Sequence, residues 1–98
     1  MDLSRQLKNA ITTGKLLFGQ RQASDACANG DAKLIILAAN CPVEYTDELN
    51  AKHPEVTMFR SGMVNRELGI ASGKPFSVST ITVIDAGDSE LLSLDSNL

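Results

Sequence analysis

The stretch Lys33-Leu34-Ile35-Ile36-Leu37-Ala38-Ala39 constrains this chain more than any other. After its lysine it is apolar at every position. It is too short for a helix, and it lies between Gly30-Asp31 and Asn40-Cys41-Pro42. A strand with one wet face alternates polar and apolar residues, whereas an unbroken apolar strand is covered on both faces. In a chain of 98 residues, helices packed on either side are the ready cover, so the run demands a sheet sandwiched between helical layers.

The flanking segments supply those layers. Leu3, Leu7, Ala10 and Ile11 recur at helical spacing, and Gly14 ends the pattern, which predicts a helix over 3–13. Lys15-Leu16-Leu17-Phe18 reads as a short strand ending at Gly19. A second helix is predicted from Gln20 to Asn29, burying Ala23, Ala26 and Cys27, with Gly30 as a left-handed cap. A third fits between Val43 and Lys52, stopped by Pro54. Val56–Arg60 is a strand, and Asn65 caps a short helix over Arg66–Ser72. Phe76–Asp85, β-branched almost throughout, is the strongest strand signal; Asp85-Ala86-Gly87-Asp88 is a turn, and the remainder forms a loose terminal turn. The order α-β-α-β-α-β-α-β makes one α/β domain over residues 1–98, with right-handed crossovers where strands are parallel.

Composition excludes several classes. The 43% hydrophobic and 21% charged content is that of a globular protein, and no apolar run approaches the ~20 residues of a membrane span. The start, Met1-Asp2-Leu3-Ser4-Arg5, carries no apolar signal region, so a cytoplasmic chain is expected. One histidine and two separated cysteines give no metal-ligand spacing, and no cofactor or metal is expected. Cys27 and Cys41 form no CxxC pair and are expected to stay reduced. The formal charge of −3 argues against nucleic acid only until its distribution is read. The tail 85–98 holds Asp85, Asp88, Glu90 and Asp95 with no base, whereas the 84 residues before it carry nine bases against eight acids. Net charge speaks to solubility and long-range attraction; a binding site depends on local charge.

Ligands of open α/β sheets bind beyond the carboxyl ends of the strands, at helix N-termini. Gly19-Gln20-Arg21, Asn40-Cys41-Pro42 and Ser61-Gly62-Met63-Val64-Asn65-Arg66 follow the first three strands. If the final strand runs antiparallel to its neighbours, Gly73-Lys74-Pro75-Phe76 joins the same end. Such an end suits RNA: free helix N–H groups meet phosphates, and glycine admits close backbone approach. Arg21, Arg66 and Lys74 pair with phosphates or base edges, while Asn40 and Asn65 hydrogen-bond bases. Phe76 stacks on an unpaired base for about 1–3 kcal/mol. Each residue also has a plainer reading, as turn former, solvated charge, cap or core aromatic.

Other classes find less in the residues. A thiol enzyme would use Cys41 near a helix N-terminus with His53 as base. Gly69-Ile70-Ala71-Ser72-Gly73-Lys74-Pro75 fails as a phosphate loop, since it ends a helix and carries Pro where Ser or Thr belongs. A scaffold acting through protein contacts would need Phe76–Asp85 at an exposed sheet edge.

Four segments in order carry a resemblance over nearly the whole chain. They are Thr13-Gly14-Lys15-Leu16-Leu17-Phe18-Gly19, Ala32–Asn40, Glu67-Leu68-Gly69 with Gly73-Lys74-Pro75-Phe76, and Asp85-Ala86-Gly87-Asp88-Ser89. Together they resemble the large-subunit ribosomal protein thirty family of archaea and eukaryotes, within the wider group that binds kink-turn RNA, an internal bulge that bends a helix sharply. The resemblance implies a three-layer α/β/α sandwich with a four-stranded mixed sheet, no enzymatic activity and residence on the ribosome. It implies large-subunit ribosomal RNA and neighbouring ribosomal proteins as partners, no membrane, and a monomer when free. By position it implies RNA contacts from Gly19, Gln20, Arg21, Asn40, Asn65, Arg66, Glu67 and Phe76, with Glu67 accepting from a base amine. Stand-alone kink-turn binders share the same implied fold.

Overall fold

The apolar run is covered on both faces as its pattern demands. In the computed structural model, which describes residues 1–98, Leu34–Leu37 form strand β2 and all four are buried. Complete burial of such side chains contributes about 1.5–3 kcal/mol each. The other strands are β1 (Lys15–Phe18), β3 (Thr57–Arg60) and β4 (Thr80–Asp85), in the sheet order β1-β4-β2-β3. β2 pairs parallel with β3, Leu34 facing Thr57. β4 lies between β1 and β2, antiparallel to both, with Ile81 opposite Phe18 on one side and Ile36 on the other. The sheet is therefore mixed.

Helices α1 (Leu3–Thr13), α2 (Gln20–Asn29), α3 (Val43–Lys52) and α4 (Asn65–Ala71) form the outer layers. α2 and α3 flank a groove on one face, and α1 packs with α4 on the other. α1 buries Leu7 and Ala10, α2 buries Ala23, Ala26 and Cys27, and α4 buries Leu68 and Ala71. The stripes expected for α1 and α2 are largely met: Leu7, Ala10, Ala23, Ala26 and Cys27 are buried and Leu3 partly so, but Ile11 is exposed. Asp2 caps α1 by accepting the Arg5 N–H, and Gly30 closes α2 at φ 78°.

Several expectations need correction. The strand expected over Phe76–Asp85 begins only at Thr80. The preceding residues instead cross α4: the carbonyl oxygen of Phe76 lies where a side chain on Gly69 would stand, and Val78 N–H donates to Asn65 O at 3.0 Å. β-propensity without a strand partner does not make a strand. β2 and β3 are likewise shorter than their apolar runs, since Ala38 and Val56 are buried outside the ladder. Asn65 is the first residue of α4, not its cap. β4 is interior, so it offers no exposed edge for a partner strand.

The acidic tail is docked, not loose. Leu91, in a short 3-10 turn over Leu91–Ser93, is fully buried, and Leu94 packs against the core. Beyond it the tail reaches the free edge of β3. Ser96 Oγ and Asn97 N–H donate to Met58 O, at 3.1 and 3.2 Å. The Asn97 side chain pairs with the Arg60 backbone in both directions, accepting its N–H at 2.7 Å and donating to its carbonyl at 3.0 Å. An otherwise open edge is thus closed by the chain's own end.

Two core substitutions should move stability in opposite directions. Alanine normally stabilises a helix interior over glycine by about 1 kcal/mol. Gly69→Ala should instead destabilise by about 1–3 kcal/mol, because its Cβ would collide with the backbone carbonyl oxygen of Phe76. Thr82 is fully buried, and its hydroxyl has no hydrogen-bond partner. Thr82→Val removes that desolvated group at nearly constant shape and should stabilise by about 1 kcal/mol. Urea denaturation measures both.

Candidate nucleic-acid interface

Because β4 is antiparallel, its N-terminal end meets the C-terminal ends of β1, β2 and β3. The four loops there are joined by hydrogen bonds. Gly19 N–H donates to Thr80 O at 2.9 Å, and Ala38 N–H donates to Ser79 O at 2.9 Å. Ala39 N–H donates to Met63 O at 2.7 Å. The Gln20 side-chain amide reaches Ser79 Oγ at 3.5 Å. One rim therefore carries residues that are distant in sequence.

Asn40 and Asn65 form its centre. Asn40 Oδ1 accepts the Asn65 backbone N–H at 2.8 Å, and Asn40 Nδ2 donates to Asn65 Oδ1 at 3.1 Å. The same Asn65 oxygen accepts the Arg66 N–H at 2.8 Å. Glu67 Oε1 accepts the Val64 N–H at 3.1 Å. The first turn of α4 is thus capped by a side chain from the β2–α3 loop and by its own Glu67, which leaves Glu67 partly engaged within the protein.

α2 differs. Gly19, at φ 108°, supplies no cap, and no other side chain caps the helix either. Its first amides and its positive dipole end stay open at the rim, beside the exposed Arg21. Tyr45 holds this end from α3: its hydroxyl donates to Gln20 O at 2.6 Å and lies 3.1 Å from Ser24 Oγ. Burial raises the Tyr45 pKa, so the phenol stays protonated and remains a donor. Asp25 lies about 7 Å further along α2, bordering the groove towards α3.

On the other flank Arg66, Ile70, Lys74, Pro75 and Phe76 line a shallow depression. Phe76 is 57% exposed, which rules out the core reading of this aromatic. Lys74 lies over the Phe18 ring, 4.4 Å from its centre. Neither Arg21, Arg66 nor Lys74 has a carboxylate within 4 Å; Lys52 pairs with Glu48 at 2.8 Å, and Glu55 lies 3.5 Å from His53 Nδ1. All eight residues expected at a site lie at this end: Gly19, Gln20 and Arg21 at α2, Asn40 after β2, Asn65, Arg66 and Glu67 opening α4, and Phe76 before β4.

Sequence reasoning gave Arg60 no part in the site and named Ser61 only as the start of the loop after β3. Arg60 ends β3 with its guanidinium half-buried among the carbonyls of Ala38, Ala39 and Cys41. Ser61 is buried, donating to Leu37 O at 2.9 Å. The available signal was a polar pair, Arg-Ser, ending a strand that pairs with the most buried one.

The thiol reading loses its geometry. Cys41 precedes α3 and His53 follows it, so the helix holds them about 15 Å apart. Cys41 is buried 3.7 Å from Thr80 Oγ1, and both cysteines are free. Burial, with the Glu55 charge adding to it, raises the Cys27 pKa and disfavours its thiolate.

Asn40→Ala should leave the Asn65 N–H without its acceptor and cost about 0.5–2 kcal/mol, as loss of a helix cap does. Denaturant titration measures the loss, and hydrogen exchange should localise it to the first turn of α4.

Comparison with known proteins adds to this geometry. The model of the ribosomal protein L7Ae/L30e/S12e/Gadd45 family matches residues 1–93. The chain is 42% identical over 94 residues to the large ribosomal subunit protein eL30 of Methanospirillum hungatei, covering 96% of this chain and 98% of that protein. It is 37% identical over 94 residues to eL30 of Methanosphaerula palustris, with 96% and 97% covered. To eL30 of Eremothecium gossypii it is 40% identical over 96 residues, with 94% and 90% covered. A solved structure from Bacillus halodurans C, described as a protein with unknown function, superimposes with a TM-score of 0.69 at 28% identity, over 93% of this chain and 86% of that one.

Proposed function

The chain belongs to the ribosomal protein L7Ae/L30e/S12e/Gadd45 family, and from that premise we propose that it is a structural component of the large ribosomal subunit that grips a kink-turn in ribosomal RNA. It acts in the cytoplasm, as part of the ribosome beside neighbouring ribosomal proteins, is a monomer when free, and catalyses nothing.

The observation that carries this reading is the hydrogen-bonded rim that gathers four loops around the Asn40–Asn65 pair. Binding needs little rearrangement, because the loops already hold one another, so little ordering entropy opposes association. The open amides after Gly19 meet the RNA backbone and Arg21 holds a phosphate or guanine edge. Asn40 keeps one amide hydrogen and one lone pair beyond these bonds, and Asn65, whose Oδ1 already accepts from Asn40 and Arg66, keeps both amide hydrogens for a base edge. Glu67 has a second carboxylate oxygen for a base amine, Arg66 adds charge, and Phe76 stacks on an extruded base. Gln20, tied to Ser79, sets the start of α2 against the RNA.

Filter binding at several salt concentrations tests it. A kink-turn RNA should bind at least about a hundredfold tighter than a plain duplex of equal length. Arg21→Ala should weaken binding about tenfold and lower the slope of log affinity against log salt by about one phosphate contact. Equal affinity for the two RNAs would end the proposal. Crosslinking in cells should recover large-subunit ribosomal RNA; recovery of small guide RNAs alone would point to a stand-alone binder.

A further inference from the structure

We infer that Arg60 is the positioning residue of this rim: from the end of β3 its guanidinium grips the β2–α3 loop and holds Asn40 in register with Asn65. What Asn40 then does rests on the RNA-binding reading above; what Arg60 holds does not.

The contacts are specific. Nη1 donates to Ala38 O at 3.0 Å and Cys41 O at 3.2 Å, with a longer approach to Ala39 O at 3.4 Å. Nη2 donates to Thr46 Oγ1 at 2.8 Å, inside α3. The three carbonyls bracket Asn40 on both sides, so one planar group fixes the turn that presents its amide. Arg60 is itself held from behind, its backbone N–H and carbonyl both paired with the Asn97 side chain. No carboxylate lies within 4 Å of the guanidinium. Backbone dipoles and one hydroxyl balance the charge, and they do so only while the loop keeps this shape. Lysine carries its donors at a single point and cannot serve Thr46 and the carbonyls together from two nitrogens.

The contacts make distinct demands on experiment. Arg60 faces inward to carbonyls, so it should affect RNA binding through Asn40 and not through phosphate. The variants are Arg60→Met, Asn40→Ala and the double variant, titrated with a kink-turn RNA across a salt series. Arg60→Met should weaken binding about tenfold with the salt slope unchanged. In the Asn40→Ala background it should add less than about twofold, since the two act as one unit. Without RNA, the Asn65 amide should exchange at least about tenfold faster in Arg60→Met than in the wild type. A salt slope lowered by about one contact would make Arg60 a direct phosphate ligand and overturn the inference. So would a full loss persisting in the Asn40→Ala background, or an unchanged Asn65 exchange rate. If the wild type fails to prefer kink-turn RNA, the functional reading falls, while Asn65 exchange still decides the positioning role. Where Arg60→Met does not fold, Arg60→Lys takes its place with the same readouts.

Discussion

Running antiparallel between two parallel neighbours, a strand must start at the end where they finish. β4 does so between β1 and β2, and the shape of the rim follows. Its approach, from Phe76 to Ser79, is brought against the loops that leave β1, β2 and β3, where Ser79 and Thr80 carbonyls accept amides from Ala38 and Gly19. A fully parallel sheet would have carried the Phe76 loop to the opposite end. The same insertion makes β4 an interior strand, burying Thr80, Ile81, Thr82 and Val83, so the segment that looks most prone to edge pairing is the one least able to do it.

Charge is arranged around this geometry more than its sum suggests. The acids of the tail accompany a segment whose work is apolar and backbone pairing: Leu91 enters the core and Asn97 closes the β3 edge. Arg21, Arg66 and Lys74 are left without carboxylate partners around the rim, near an uncapped helix start. A net charge of −3 is compatible with a locally positive rim. The tail and rim also meet mechanically, since Asn97 holds the backbone of Arg60 while the Arg60 side chain holds the loop that carries Asn40.

Much of the site was legible before any tertiary contact was known, because its punctuation is local. Gly19 sits where a strand must turn into a helix, Gly30 where a helix needs a left-handed residue, and Asn40 where an apolar strand meets proline. These depend on backbone sterics at single residues. Asn65 was misread as a cap because capping is ordinarily satisfied within a few residues; here the acceptor for its own N–H comes from 25 positions away. Arg60 left only the weak trace of the Arg-Ser pair that ends β3, since a strand-ending arginine looks the same whether it faces water or three carbonyls.

The apolar run of β2 and the helical stripes beside it settled that this chain is a helix-covered sheet, for burial of side chains follows periodicity along the chain. Strand order, the start of β4 at Thr80, the docking of the tail and the joining of Asn40 to Asn65 came from contacts between segments far apart. Periodicity says which face of an element is dry. It does not say which neighbour dries it, because hydrogen bonds and packing across the sheet depend on partners that no local pattern names.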